Sequence, residues 1–170
     1  MKGKTAMSCV AAIGFTLGAA TVPASDGADS RSAQYRLEGA WQVEVTVRVA
    51  GPDCATAPPV PFGPNPFPSF NTFHAGGTMS EWGSRAPPAT RSSGHGTWER
   101  LSAHRYGYRF MFHSFDGNGL LTATMDFSTE LELTGTGDTF EGVSRFVRTD
   151  LSGNALNFCA TMAGQRISLQ

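Results

Sequence analysis

Four histidines, His74, His95, His104 and His113, are the residues of this 170-residue chain best suited to hold a metal or move a proton. The last three recur every nine residues, which invites a metal reading. The strands expected around them argue against it. If 94–101 and 105–115 pair as a hairpin, His104 sits at its turn, and His95 lies about 30 Å away along a strand rising roughly 3.3 Å per residue. Three ligands of one ion cannot be so spread, so no metal site is expected. His95 stands between Gly94 and Gly96, where small neighbours allow close backbone approach, and is the imidazole favoured for a pocket. His74 precedes Gly76-Gly77 and falls near a hairpin tip.

Other chemistry is sparse. There is no G-x-S-x-G nucleophile motif. The glycine-rich turns lack the Lys-Ser/Thr of a phosphate loop, and no cofactor is expected. Glu81 and Tyr108 join His95 as candidate proton carriers, and Arg100 and Arg109 as candidate carboxylate partners. The aromatic residues say more. Tyr106, Tyr108, Phe110 and Phe112 share one face of an alternating segment, and Phe127 recurs on the apolar face of the next. Together they make one wall of an apolar interior, either packed core or a small pocket with a few hydroxyls.

The elements that must position these residues are strands. Trp41, Val43, Val45, Val47 and Val49 alternate with polar residues, the period of a half-buried strand. Residues 51–68 hold seven prolines and read as a long loop that folds Phe62 and Phe67 onto the body. Strands are expected over 70–75, 78–82, 94–101, 105–115, 121–133, 140–149 and 156–162, with Gly164 leading to a last strand over 167–169. The turns Gly76-Gly77, Asp116-Gly117-Asn118-Gly119 and Ser152-Gly153-Asn154 separate them. Eight or nine strands joined by short turns form an antiparallel up-and-down meander, which must close or pack on itself to hide its edges. Sequential hairpins favour an all-β barrel of about eight strands over a two-sheet sandwich.

Which residues face inward around His95 depends on one turn. An even-length turn between 101 and 105 puts His95 and Glu99 on the side of Tyr106, Tyr108 and Phe110. An odd-length turn puts Trp98 and Arg100 there instead. The sequence allows both.

Lys2 and Lys4 precede a small-residue apolar run, Ala6 to Ala20, and Val22-Pro23-Ala24 ends in a cleavage pattern. This is the layout of a secretory signal peptide over 1–24, followed by a polar leader over 25–36 and a barrel domain over 37–170. The expected location is the periplasm or the exterior, with no integral membrane segment after cleavage. Cleavage leaves eleven arginines against fourteen acids, which excludes a nucleic-acid binder acting through a basic surface. It also leaves two cysteines, Cys54 and Cys159, which an exported chain would pair. Such a bridge closes a loop of about 100 residues, worth about 4–5 kcal/mol in the chain-entropy account.

Leu37-Glu38-Gly39-Ala40-Trp41 resembles the Gly-x-Trp opening of the calycin group, which includes the lipocalins. The resemblance implies that Trp41 closes one end of the barrel and that an arginine from a late strand, here Arg166, lies over its indole. By the same analogy Trp98 turns inward. The stretch 72–78 followed by 94–100 is similar to exported bacterial proteins of lipocalin-like type, a likeness that implies no particular reaction. A second lipocalin motif is not recognisable. The expected function is binding of a small apolar or amphipathic molecule without catalysis, by a monomer or dimer. Trp41, His95, Trp98, Tyr106, Tyr108, Phe110, Phe127 and Arg166 are the expected ligand-binding residues. The alternatives are an isomerase or cyclase using the pocket, and an envelope interaction protein using the proline-rich loop.

Overall fold

The structure is a computed structural model that describes residues 35–169. The expected signal peptide over 1–24 and the expected leader up to residue 34 lie outside the described residues. Strands β1 (Gly39–Arg48), β2 (Phe67–Phe73), β3 (Thr78–Gly83), β4 (Gly94–Arg100), β5 (Arg105–Phe115), β6 (Leu121–Thr134), β7 (Thr139–Asp150) and β8 (Ala155–Arg166) follow the chain. Each pairs antiparallel with the next, and β8 returns to β1 to close an eight-stranded, calycin-like barrel.

The meander reads as expected, with three corrections. There are eight strands, the lower of the two expected numbers. β8 runs unbroken through Gly164 to Arg166, and no strand covers 167–169. Gly164 is no turn: it pairs with Phe140, whose ring occupies the space a side chain there would need. β2 begins at Phe67, inside the proline-rich segment, and Pro68 sits near the strand end, where a proline is tolerated. Tyr35 and Arg36, expected in the leader, are already docked. Tyr106 Oη donates to Tyr35 O at 2.6 Å, and Arg166 donates to Arg36 O.

One end of the barrel is solid. Trp41, Phe73, Tyr106, Leu131, Leu133 and Phe140 fill it as one cluster. Trp41 Nε1 donates to Leu37 O at 2.9 Å, and the Arg166 guanidinium lies 4.3 Å from the indole centroid. Arg166 also donates to Glu38 O at 2.6 Å, to Gly137 O at 3.1 Å and to Asp138 Oδ1 at 3.2 Å. The glycine of Gly-x-Trp has a physical reason here. Gly39 has φ +125°, and a Cβ would lie 3.0 Å from Arg166 Nη1.

The other end carries the long loop. Cys54 is bonded to Cys159, Asn65 Oδ1 accepts from Val47 N at 2.9 Å, and Arg145 donates to Gly51 O and Pro52 O. Val60 and Phe67 pack with Val47, Phe146 and Ala160 in a second cluster. The loop is therefore a fitted cover, not a spacer.

Arg166→Ala should lower stability by about 3 kcal/mol in urea unfolding, because charge-assisted bonds and the ring contact are lost together. Arg166→Lys should recover little of it, since an ammonium cannot reproduce the planar fork. Full recovery by lysine would show that charge alone matters.

Candidate functional site

Between the solid end and the loop cover lies a cavity of about 340 Å³ that opens toward the loop end. Its existence follows from side-chain size. Ser69, Ser144 and Ala160 face inward at mid-barrel and leave room that larger residues would have filled. Val45, Phe112, Met125, Phe127 and Phe158 also face inward, yet they are only half-buried because they border this space.

The aromatic wall is a cross-strand ladder. Phe110 lies opposite Phe127, Phe127 opposite Phe146, and Phe146 opposite Phe158. Successive ring centroids are 4.5, 4.4 and 5.2 Å apart, with planes within 10–18° of parallel. Rings this close cannot lie side by side, so they cover one another's faces and turn their edges to the cavity. The period of two places these residues on one face, and the register lines them up.

The facing side is polar. Glu81 on β3 and Arg91 in the β3–β4 loop form an ion pair at 2.5 Å, with residue exposures of 7 % and 8 %. Arg91 also lies 3.9 Å over the Phe112 ring and donates to Gly83 O at 3.2 Å. Ser69 Oγ donates to Glu81 Oε1 at 3.1 Å. Burial pushes the Glu81 carboxyl up, and Arg91 and Ser69 pull it back only in part. Gly94 makes this packing possible. A Cβ there would lie 2.7 Å from both Glu81 Oε2 and the Phe110 ring. Deeper, Asn71 Nδ2 donates to Tyr108 Oη at 3.4 Å, and Tyr108 Oη points to Met162 Sδ at 3.0 Å. Burial pushes the Tyr108 phenol well above its ordinary range, so it stays protonated.

Of the expected ligand-binding residues, Tyr108, Phe110 and Phe127 line the cavity. Trp41, Trp98, Tyr106 and Arg166 instead belong to the closed end: Trp98 packs on Phe73 and Tyr106, and its Nε1 donates to His74 O at 3.0 Å. His95 stays out of the cavity, exposed on the outer face of β4. The pairing Trp98↔Tyr108 turns the even-numbered residues of β4 inward, which is the odd-turn alternative. His74 and His113 are also exposed, and His104 packs against Tyr35. Among the described residues, no three His, Cys, Asp or Glu side chains converge on a position that could hold a metal. Arg109 pairs with Asp126 on the exposed surface, and Arg100 donates to Ser102 O and Ala103 O. Arg91 and Asn71 were missed. Arg91 lies in a small-residue, polar loop with no periodicity to signal burial. Asn71 alternates with Phe70 and Thr72 in a way that suggests either face.

Glu81 gives a pH test. Its folded value is raised, so its stabilising contribution is complete below the ordinary value of 4.5 and is lost as pH rises through the folded value. Glu81→Gln removes that dependence. The melting-temperature difference between wild type and Glu81→Gln should therefore move against the wild type as pH climbs from 4.5. Movement the other way would mean that Arg91 outweighs burial.

No protein-family model matches the sequence and no curated protein matches it, so the likeness to calycins is one of fold: a closed barrel of eight antiparallel strands with room inside.

Proposed function

We propose that the protein is an exported, non-catalytic barrel that binds one small apolar or amphipathic molecule. The observation that carries this reading is the cavity bordered by half-buried inward apolar side chains. A guest would supply the neighbours those side chains lack, and apolar burial is worth about 25 cal/mol per Å². The volume lies within the usual range of small-molecule sites, about 300–1,000 Å³. Export is supported by the signal-like residues 1–24 and by a disulfide, which suits an oxidising compartment.

A neutral apolar dye, N-phenyl-1-naphthylamine, should bind saturably at one site with enhanced fluorescence. Val45→Trp, which projects bulk from the wall into the cavity, should weaken it at least about tenfold while the barrel still melts cooperatively. Absent saturation, or unchanged affinity in the variant, would remove the cavity as the site.

One observation favours a second reading, proton transfer within the barrel. Glu81 is the carboxyl among the cavity-lining residues, and burial holds it toward its protonated form. Its oxygens already accept from Arg91 and Ser69, which ranks this reading second. It requires that a bound unsaturated ligand exchange hydrogen for deuterium in D₂O and that Glu81→Gln stop the exchange. The loop-contact alternative needs a filled barrel with Phe62 and Phe67 exposed together, whereas Phe62 is 59 % exposed and Phe67 only 8 %.

A further inference from the structure

The polar side of the cavity holds an atom whose bonding is incomplete. Among the described residues, Asn71 Oδ1 is the one buried side-chain oxygen or nitrogen with no hydrogen-bond partner. Asn71 is 3 % exposed and lines the cavity. Native structures seldom leave a buried carbonyl orphaned, because it has given up water and received nothing in exchange.

The donors near it are committed elsewhere. Asn71 Nδ2 donates to Tyr108 Oη, and the Tyr108 proton is directed at Met162 Sδ. The single Ser69 Oγ proton is taken up between Glu81 Oε1 and Trp82 O, at 3.1 and 3.0 Å. Thr129 Oγ1 donates to Ser144 Oγ, which donates to Ser128 O. The Arg91 guanidinium serves Glu81 and Gly83 O. Oδ1 itself is buried, but Asn71 lines the cavity, and that is the side from which a further donor can come.

We propose that Asn71 Oδ1 accepts a hydrogen bond from the guest, so that the barrel selects apolar molecules bearing a hydroxyl or N–H donor. This rests on the binding reading above and narrows it. Asn71 sits on β2, and β6, which carries Phe127, lies four strands round the barrel and hence across it. A molecule that reaches Oδ1 with its donor therefore lays its apolar body toward the phenylalanine ladder. Hydrocarbons and ethers bring no proton and leave the carbonyl unsatisfied. A phenol or another hydroxylated ring system meets both walls.

Three ligands of one skeleton test this: naphthalene, 2-methoxynaphthalene and 2-naphthol, each measured by equilibrium dialysis against the purified protein. 2-Naphthol should bind about tenfold tighter than naphthalene, the worth of one net hydrogen bond. 2-Methoxynaphthalene, which accepts but cannot donate, should bind no better than naphthalene. Asn71→Leu should bring 2-naphthol down to the naphthalene level while naphthalene itself still binds. If that variant fails to melt cooperatively, the three-ligand ranking on the wild-type chain decides alone. Equal affinity for naphthalene and 2-naphthol would mean that trapped water serves Oδ1, and would overturn the inference while leaving the binding reading in place. A methoxy compound matching the naphthol would also overturn it. Failure of all three ligands to bind would overturn both.

Discussion

The pairing of β1 with β8 turns a meander into a vessel. Without it, both edges of an eight-stranded sheet would stand open and the inward side chains would face solvent. The seam is fastened at each end by a different kind of bond. At the closed end Trp41 pairs with Arg166, and the guanidinium lies over the indole and ties three carbonyls, two from the segment entering β1 and one from the β6–β7 turn. Toward the open end Arg48 pairs with Cys159, whose sulfur holds Cys54 in the segment that follows β1. One clamp is electrostatic and sits where the barrel is packed solid. The other is covalent and sits where packing gives way to a cavity.

Inside the seam, the barrel divides by strand. β5 to β8 supply phenylalanine rings in one register, stacked face against face. β2, β3 and the loop after β3 supply Ser69, Asn71, Glu81 and Arg91. Arg91 links the two sides, with its guanidinium over Phe112 and its fork on Glu81. A buried ion pair of this kind gains little net stability against apolar replacements, because both charges lose water. Its evident structural consequence is placement: it holds the β3–β4 loop against the barrel and fixes a charged pair in the cavity wall. A guest would thus meet an oily wall and a hydrogen-bonding wall at once.

Much of the fold was legible because it rests on local rules. The alternation of Trp41 to Val49 gives a strand with one buried face, and the double glycine at 76–77, with φ +95° and +86°, gives a tight turn. Trp41 and Arg166 were identifiable as the closed end through the Gly-x-Trp likeness. Cys54 and Cys159 were the one pair left once the leader is set aside. The errors lie where a residue has two physical uses. Gly164 reads as a breaker, but its lack of a side chain makes room for the Phe140 ring within a continuous strand. Gly94 and Gly96 suggested a pocket histidine between them, yet the space they leave is taken by Glu81, Phe110 and the β5 backbone.

The sequence alone determined which side chains travel together: a period of two says that Tyr106, Tyr108, Phe110 and Phe112 share a face. It did not determine which face of β4 joins them, since one residue of turn length exchanges His95 for Trp98. Only the closed barrel decided that, through the pairing Trp98↔Tyr108. Only the closed barrel decided that the middle is hollow, because empty volume is what remains after residues from eight strands have met across an axis. The pairing of Arg91 with Glu81 and the orphaned oxygen of Asn71 belong to the same class. They are relations between side chains brought together by closure, and no periodicity along the chain encodes them.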